Sequence, residues 1–325
     1  MKFSRKYLTY VDLLWDAFCI ASVAGIWPRF IEPKLLKKTH VKLPIPQLKK
    51  NLAGIKIVQF SDLHFSKDVS DRFLKKIEIS IKEENPDILV FTGDFLCFST
   101  LEDEKRMKIF FSNIPRSRYG NYAVLGNHDY NQFVSLGDLG NYSLIKNLEA
   151  RSSLLRGFKR LLKPKTPTGI FDPDISSLQL HQPLLELISK TPFTLLHNSC
   201  QHVRIQDTSI NIFGLGEYSA GQMHESEAHE RTNPSDFTLT LLHNPDGALH
   251  LKYRSDLILS GHTHGGQINL PLLKTRFNLM EETKFCKGLI RFKDQWIYVS
   301  RGVGSVFPFR WFSPPEIVSI TLESV

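Results

Sequence analysis

Cysteine is scarce: Cys19, Cys97, Cys200 and Cys286 lie far apart in 325 residues, with no C-x-x-C pair. That spacing excludes a disulfide scaffold and a thiolate zinc site, and it suits a reduced, cytoplasmic setting. Internal repeats and low-complexity tracts are absent as well, which excludes a solenoid or a long disordered arm. No uninterrupted apolar run reaches the ~20 residues that a spanning helix needs. Neither sign of charge dominates, since 41 basic and 33 acidic residues leave a formal +8. A hydrophobic content of 42% and a charged content of 23% are ordinary for a globular protein. The length fits one large domain with an attachment.

What the chain does have is five short polar clusters built from carboxylate, imidazole and amide side chains, most of them beside glycine. They are Asp62-Leu63-His64, Gly93-Asp94, Gly126-Asn127-His128-Asp129, His243-Asn244 and Gly261-His262-Thr263-His264. Each follows a short apolar run: Ile55 to Phe60, Ile88 to Phe91, Tyr122 to Leu125, Phe237 to Leu242 and Leu257 to Leu259. Such runs read as buried strands, and the clusters as the loops at their C-terminal ends, where layered α/β folds place their ligands.

A divalent metal in a hydrolase takes nitrogen and oxygen ligands and keeps positions open for water and substrate. Asp62, His64 and His264 suit one ion, and Asn127, His243 and His262 a second, with Asp94 as the bridge. Two ions ~3.5–4 Å apart activate water and clamp both oxygens of an in-line displacement at phosphorus. His128 is not needed as a ligand and is better placed to stabilise or protonate the leaving oxygen, with Asp129 orienting its ring. A lone D-x-H or G-D carries no weight, because strand-end turns often use Asp for local backbone bonding. Joint occurrence in this order, each time after a strand-like run, does carry weight.

The set resembles the calcineurin-like metallophosphoesterase superfamily, with its pattern D-x-H, G-D, G-N-H-[DE], H and G-H-x-H. The resemblance covers Asn51 to Val325. Tyr298-Val299-Ser300-Arg301-Gly302 through Pro314-Pro315-Glu316-Ile317 is similar to its membrane-associated bacterial branch. It implies a four-layer α/β/β/α sandwich and metal-dependent hydrolysis of a phosphate ester or anhydride. Two divalent ions are implied, manganese first, with iron, zinc, cobalt and magnesium also suited to these ligands.

Lys2, Arg5 and Lys6 precede an apolar stretch through Leu13, Leu14, Trp15, Phe18, Ile20, Val23, Ile26 and Trp27. Asp12 and Asp16 interrupt it and Pro28 ends it, so it reads as an interfacial or shallow anchor. The bland alternative is a helix packed on the protein's own core. Lys34 to Lys50 reads as a basic linker, which makes residues 1–50 an attachment to a catalytic domain at 51–325. Helices are expected after the first metal loop, stopping at Asn85-Pro86-Asp87, and over Glu102 to Ser112. Gln201 to Phe213 reads as a hairpin. The last strands are Leu289 to Phe292, Trp296 to Val299 and Ile317 to Leu322.

An insertion spans about 136–192. Within it Arg151 to Lys165 holds six basic and no acidic residues. Leu154, Leu155, Phe158, Leu161 and Leu162 share one helical face, and Arg156 and Arg160 lie outside it. That is a basic amphipathic helix suited to an anionic membrane surface, although a helix capping the core fits the same pattern. Aromatic interleaving for single-stranded nucleic acid is thin, so no nucleic-acid partner is expected. Two membrane elements beside a phosphoesterase site point to a lipid. Within the branch, the chain resembles the pyrophosphatases that split UDP-2,3-diacylglucosamine in lipid A biosynthesis. The similarity is to the version with His at position 128, whereas others carry Arg there. It implies a nucleotide-linked diacyl sugar as substrate and the cytoplasmic face of the bacterial inner membrane as location. The alternatives are another lipid headgroup, a phosphoprotein or a nucleotide.

Overall fold

The computed structural model describes residues 5–145, 166–229, 236–269 and 280–325. Two six-stranded mixed sheets stack face to face. The first runs in the order β1 (Lys37–Ile45), β14 (Glu316–Ser324), β2 (Lys56–Phe60), β3 (Ile88–Thr92), β4 (Asn121–Val124) and β7 (Phe193–Leu195). The second runs β12 (Gly288–Phe292), β13 (Gln295–Val299), β11 (Leu257–Ser260), β10 (Phe237–Leu241), β9 (Thr208–Gly214) and β8 (Ser199–Ile205). β2, β3 and β4 are parallel neighbours, as are β10 and β11, so their C-terminal loops emerge on common edges.

Strand alternation divides the core into layers. Ile57, Val90 and Val124 pack between the sheets against Ile212, Leu239 and Leu259. Val58, Phe91 and Leu89 face the other way, onto α2 (Asp71–Glu84), α3 (Glu104–Asn113) and α4 (Gln182–Ser189). The outer face of the second sheet is covered by Ala228, Ala248 and Phe285 from short helical turns and a loop. This is the expected α/β/β/α sandwich, its fourth layer thin among the described residues. Ser70 caps α2 by accepting from the Phe73 N–H, and Asn85 ends it in a left-handed conformation before Pro86.

Three expectations need correction. Lys34 to Lys50 is not merely a linker, because β1 lies within it and pairs in parallel with β14 along its whole length. Leu43 and Ile45 point into the core, while Lys38 and Lys42 point out to Glu83 and Glu323. Pro28 does not end the first helix either. α1 (Arg5–Ala21) continues as a π-wound segment through Ile31, whose wider turn accommodates the proline ring. The stretch Asp12–Lys34 is therefore one helix of 23 residues, long and apolar enough by length and composition to cross a membrane, where the sequence offers only a shorter run ended by Pro28. Most of it lies off the core, with Leu14 and Ile20 70% and 68% exposed, while Pro28 and Glu32 at its end are buried.

The basic amphipathic stretch with Leu154, Leu155, Arg156, Phe158, Arg160, Leu161 and Leu162 lies outside the described residues. Its flanks form a small antiparallel pair, β5 (Val134–Leu136) and β6 (Tyr142–Leu144), followed by α4.

Candidate metal centre

Five loops converge at the C-terminal ends of β2, β3, β4, β10 and β11, as the apolar runs predict. The backbone there is tightly turned: Asp62, His64, Asp94, His262 and His264 all have positive φ. For L-residues that conformation costs roughly 1–2 kcal/mol each. Packing around the loops sustains it. Gly93, at φ +87°, has no room for a side chain, because a Cβ would sit 2.7 Å from both the Gly126 nitrogen and His243 Nδ1. Gly302, at φ +69°, presses likewise on Asp62.

Two clusters of nitrogen and oxygen donors result, Asp62/His64/His264 and Asp94/His243/His262, each with its donor atoms within 4.8 Å of one another. Asp94 Oδ2 lies 3.4 Å from His64 Nε2 and 3.2 Å from His243 Nε2, and so stands between the clusters. Asn127 Oδ1 lies 2.9 Å from His262 Nδ1. Backbone carbonyls orient the rings. His64 Nδ1 donates to Leu96 O at 3.2 Å and His243 Nδ1 to Thr92 O at 2.7 Å, which turns both Nε2 lone pairs inward.

Burial pushes His64 and His262 down to about 3, so both rings are neutral and hold free lone pairs. Burial opposes ionisation of Asp94, yet His243, His128 and His64 outweigh it and hold the carboxyl well below its ordinary range. Burial raises Asp62 to about 6, against the pull of His243. Among the described residues, only histidines form ion pairs with Asp62 and Asp94. Buried carboxylates and imidazoles aimed at two points, with no lysine among the described residues to balance them, fit a pair of divalent cations.

His128 is 6% exposed, stacked on Phe133 at 4.9 Å and edge-on to His64 at 4.8 Å. Its Nδ1 accepts the Phe98 N–H at 2.9 Å, which leaves the ring proton on Nε2. Its nitrogen also falls within 4.8 Å of His64 and Asp94 donor atoms. Asp129 does not orient this ring, contrary to expectation. Its carboxylate accepts the N–H groups of Phe95, Leu96 and Gly126, at 2.8 to 3.1 Å, and so ties two metal loops together.

Sequence reasoning misses Arg310, Glu32 and Glu217. Arg310 is fully buried, and its Nη2 donates to His264 Nδ1 at 3.1 Å. The other ring nitrogen, Nε2, stands 3.0 Å from His64 Nε2. Glu32 accepts the N–H groups of Phe312 and Ser313 and holds the loop that carries Arg310. Glu217, buried, accepts from the Asn244 N–H beside His243. None of the three neighbours a metal motif in sequence.

Comparison with known proteins gives the same family as the loops. The chain is 37% identical to the UDP-2,3-diacylglucosamine pyrophosphatase LpxG of Chlamydia trachomatis over 303 residues, 90% of this chain and 91% of that one. It is 36% identical to its counterpart in Chlamydia muridarum, over 90% and 91% of the two chains. With the phosphodiesterase YaeI of Escherichia coli it shares 26% identity over 94% of this chain and 96% of that one. The family model described as calcineurin-like phosphoesterase matches residues 55–266, which contain all five loops. The chain belongs to this calcineurin-like phosphoesterase family, hydrolases that work with divalent metals.

Proposed function

We propose that the protein hydrolyses UDP-2,3-diacylglucosamine to UMP and 2,3-diacylglucosamine 1-phosphate, at the cytoplasmic face of the bacterial inner membrane. The observation that carries this reading is the extent of similarity to the Chlamydia enzymes, which runs over 90% of the chain. The apolar, exposed helix supports a substrate drawn from a bilayer.

In this reading Asp62, His64 and His264 hold one ion, Asn127, His243 and His262 the other, and Asp94 reaches both. Manganese is the first candidate. When bound, the ions supply Lewis acidity at the phosphoryl oxygens and an activated water. The protein's own residues do the rest. Asp94 and the carbonyl-anchored rings of His64 and His243 fix the donor geometry. His128 holds a proton on Nε2 and presents it to the oxygen that leaves phosphorus. Phe98 and Phe133 pack around that ring and exclude water.

The full-length similarity to a named phosphodiesterase favours a second reading, cleavage of a different lipid phosphodiester. Product analysis separates the two. Purified protein with manganese and UDP-2,3-diacylglucosamine should release UMP and the diacyl sugar phosphate in equal amounts. Release of neither, with turnover of another lipid phosphodiester, would favour the second reading.

A further inference from the structure

Between the N-terminal helix and the loop after β13 lies a groove of about 800 Å³. That is within the ~300–1,000 Å³ range of small-molecule sites. Phe18, Val23, Ile26 and Trp27 form one wall, and Trp311 and Phe312 the other. These walls are not buried: Phe18 is 57% exposed and Phe312 54%. The helix that carries the first wall is apolar over 23 residues with 6% of its span covered by protein, so the groove opens towards lipid. Lys37 lines it too, as does Glu32, whose carboxylate is taken up by the Phe312 and Ser313 N–H groups. Arg301 beside it is already neutralised by Glu316.

The second wall is tied to the metal centre. Arg310 donates to His264 Nδ1 at 3.1 Å, and Ser313 Oγ donates to the His264 carbonyl at 2.6 Å. The two residues between them, Trp311 and Phe312, line the groove. Trp311 N–H also donates to Gln267 O at 2.9 Å, three residues beyond His264. A molecule seated in the groove therefore rests on the segment that holds His264. A passing bilayer lipid has no need of that link, whereas a substrate does.

We propose that this groove takes an acyl chain of the lipid substrate, its methylenes against the aromatic and branched walls. The assignment rests on the lipid substrate of the preceding section, and it adds the helix itself to the substrate site.

The test is photolabelling of the full chain in phosphatidylethanolamine vesicles with UDP-2,3-diacylglucosamine carrying a diazirine at one acyl terminus. Label should map to Val23, Ile26, Trp311 or Phe312. Unlabelled UDP-2,3-diacylglucosamine should displace it, and excess phosphatidylglycerol should not. Ile26→Trp, which fills the groove, should raise KM for the long-chain substrate about tenfold, the loss of roughly two methylene contacts. Turnover of a water-soluble phosphodiester should be unchanged. Displacement by phosphatidylglycerol, label elsewhere, or equal loss on both substrates overturns the proposal. Wild-type protein that does not hydrolyse the nucleotide lipid sinks the functional reading instead, and the labelling map then decides the groove by itself. Hydrolysis without label in the groove sinks the groove alone.

Discussion

Asp94 is the residue on which both donor clusters depend, 2% exposed and within 3.4 Å of an imidazole nitrogen from each. Asp94→Ala should abolish phosphodiester hydrolysis and lower bound metal, with the circular dichroism spectrum unchanged. Full activity would refute the bridging role. His128 differs, since it belongs to neither ligand set and its ring is held between the Phe98 N–H and Phe133. His128→Ala should slow turnover by roughly 10²–10⁴-fold, the usual range for general acid help. Metal content should stay at the wild-type level, and loss of an ion would make His128 a ligand. The donor residues are legible in sequence because few side chains bind hard or borderline cations, and here they recur after apolar runs. The Asp129 contacts are not legible. Its partners are backbone N–H groups, which any residue at those positions would offer.

Fully buried strands such as β3 announce themselves at the level of the element, and so does α2 with its Ser70 cap and Asn85-Pro86 stop. β1 hides, because lysines on its outer face make the segment look like a basic linker, and its alternation shows only once β14 lies beside it. The packing of β1 against α2 can be tested by pH. Burial opposes ionisation of Glu84, but His40 and Lys38 outweigh it and lower the carboxyl below its ordinary 4.5. A lowered carboxyl stabilises the fold above its unfolded value and loses that contribution as pH falls through the folded one. Glu84→Gln should therefore lower stability at pH 7 by roughly 1 kcal/mol in urea unfolding. The gap should close below pH 4.5, and a gap that widened in acid would contradict the pairing. The length of the N-terminal helix is hidden by Pro28, because a proline inside a helical pattern usually ends it. Here Glu32 and the Pro28 carbonyl dock its end onto residues 310–313. Removal of residues 1–21 should move the protein from membrane to soluble fractions and keep cleavage of a soluble phosphodiester. Removal through Pro33 should also reduce that cleavage. Equal activity in the two truncations would show that the docked end is dispensable.

The whole molecule brings together loops separated by 200 residues because two stacked sheets of parallel-rich strands direct their C-terminal ends to one side. Sequence order predicts that convergence. It does not predict which distant residues stand behind the ligands. Arg310 meets His264 across 46 residues, and Glu32 meets Ser313 across 281. Such partners are chosen by the packing of the sheets and the docked helix, and neither is encoded locally. The central claim is a centre for two divalent ions, both needed for hydrolysis. Its most direct test is titration of chelator-stripped protein with manganese, following bound metal and phosphodiester turnover together. Two ions should bind per chain, with turnover rising only as the second site fills. Full turnover with one ion per chain, or turnover that survives chelation, would contradict it.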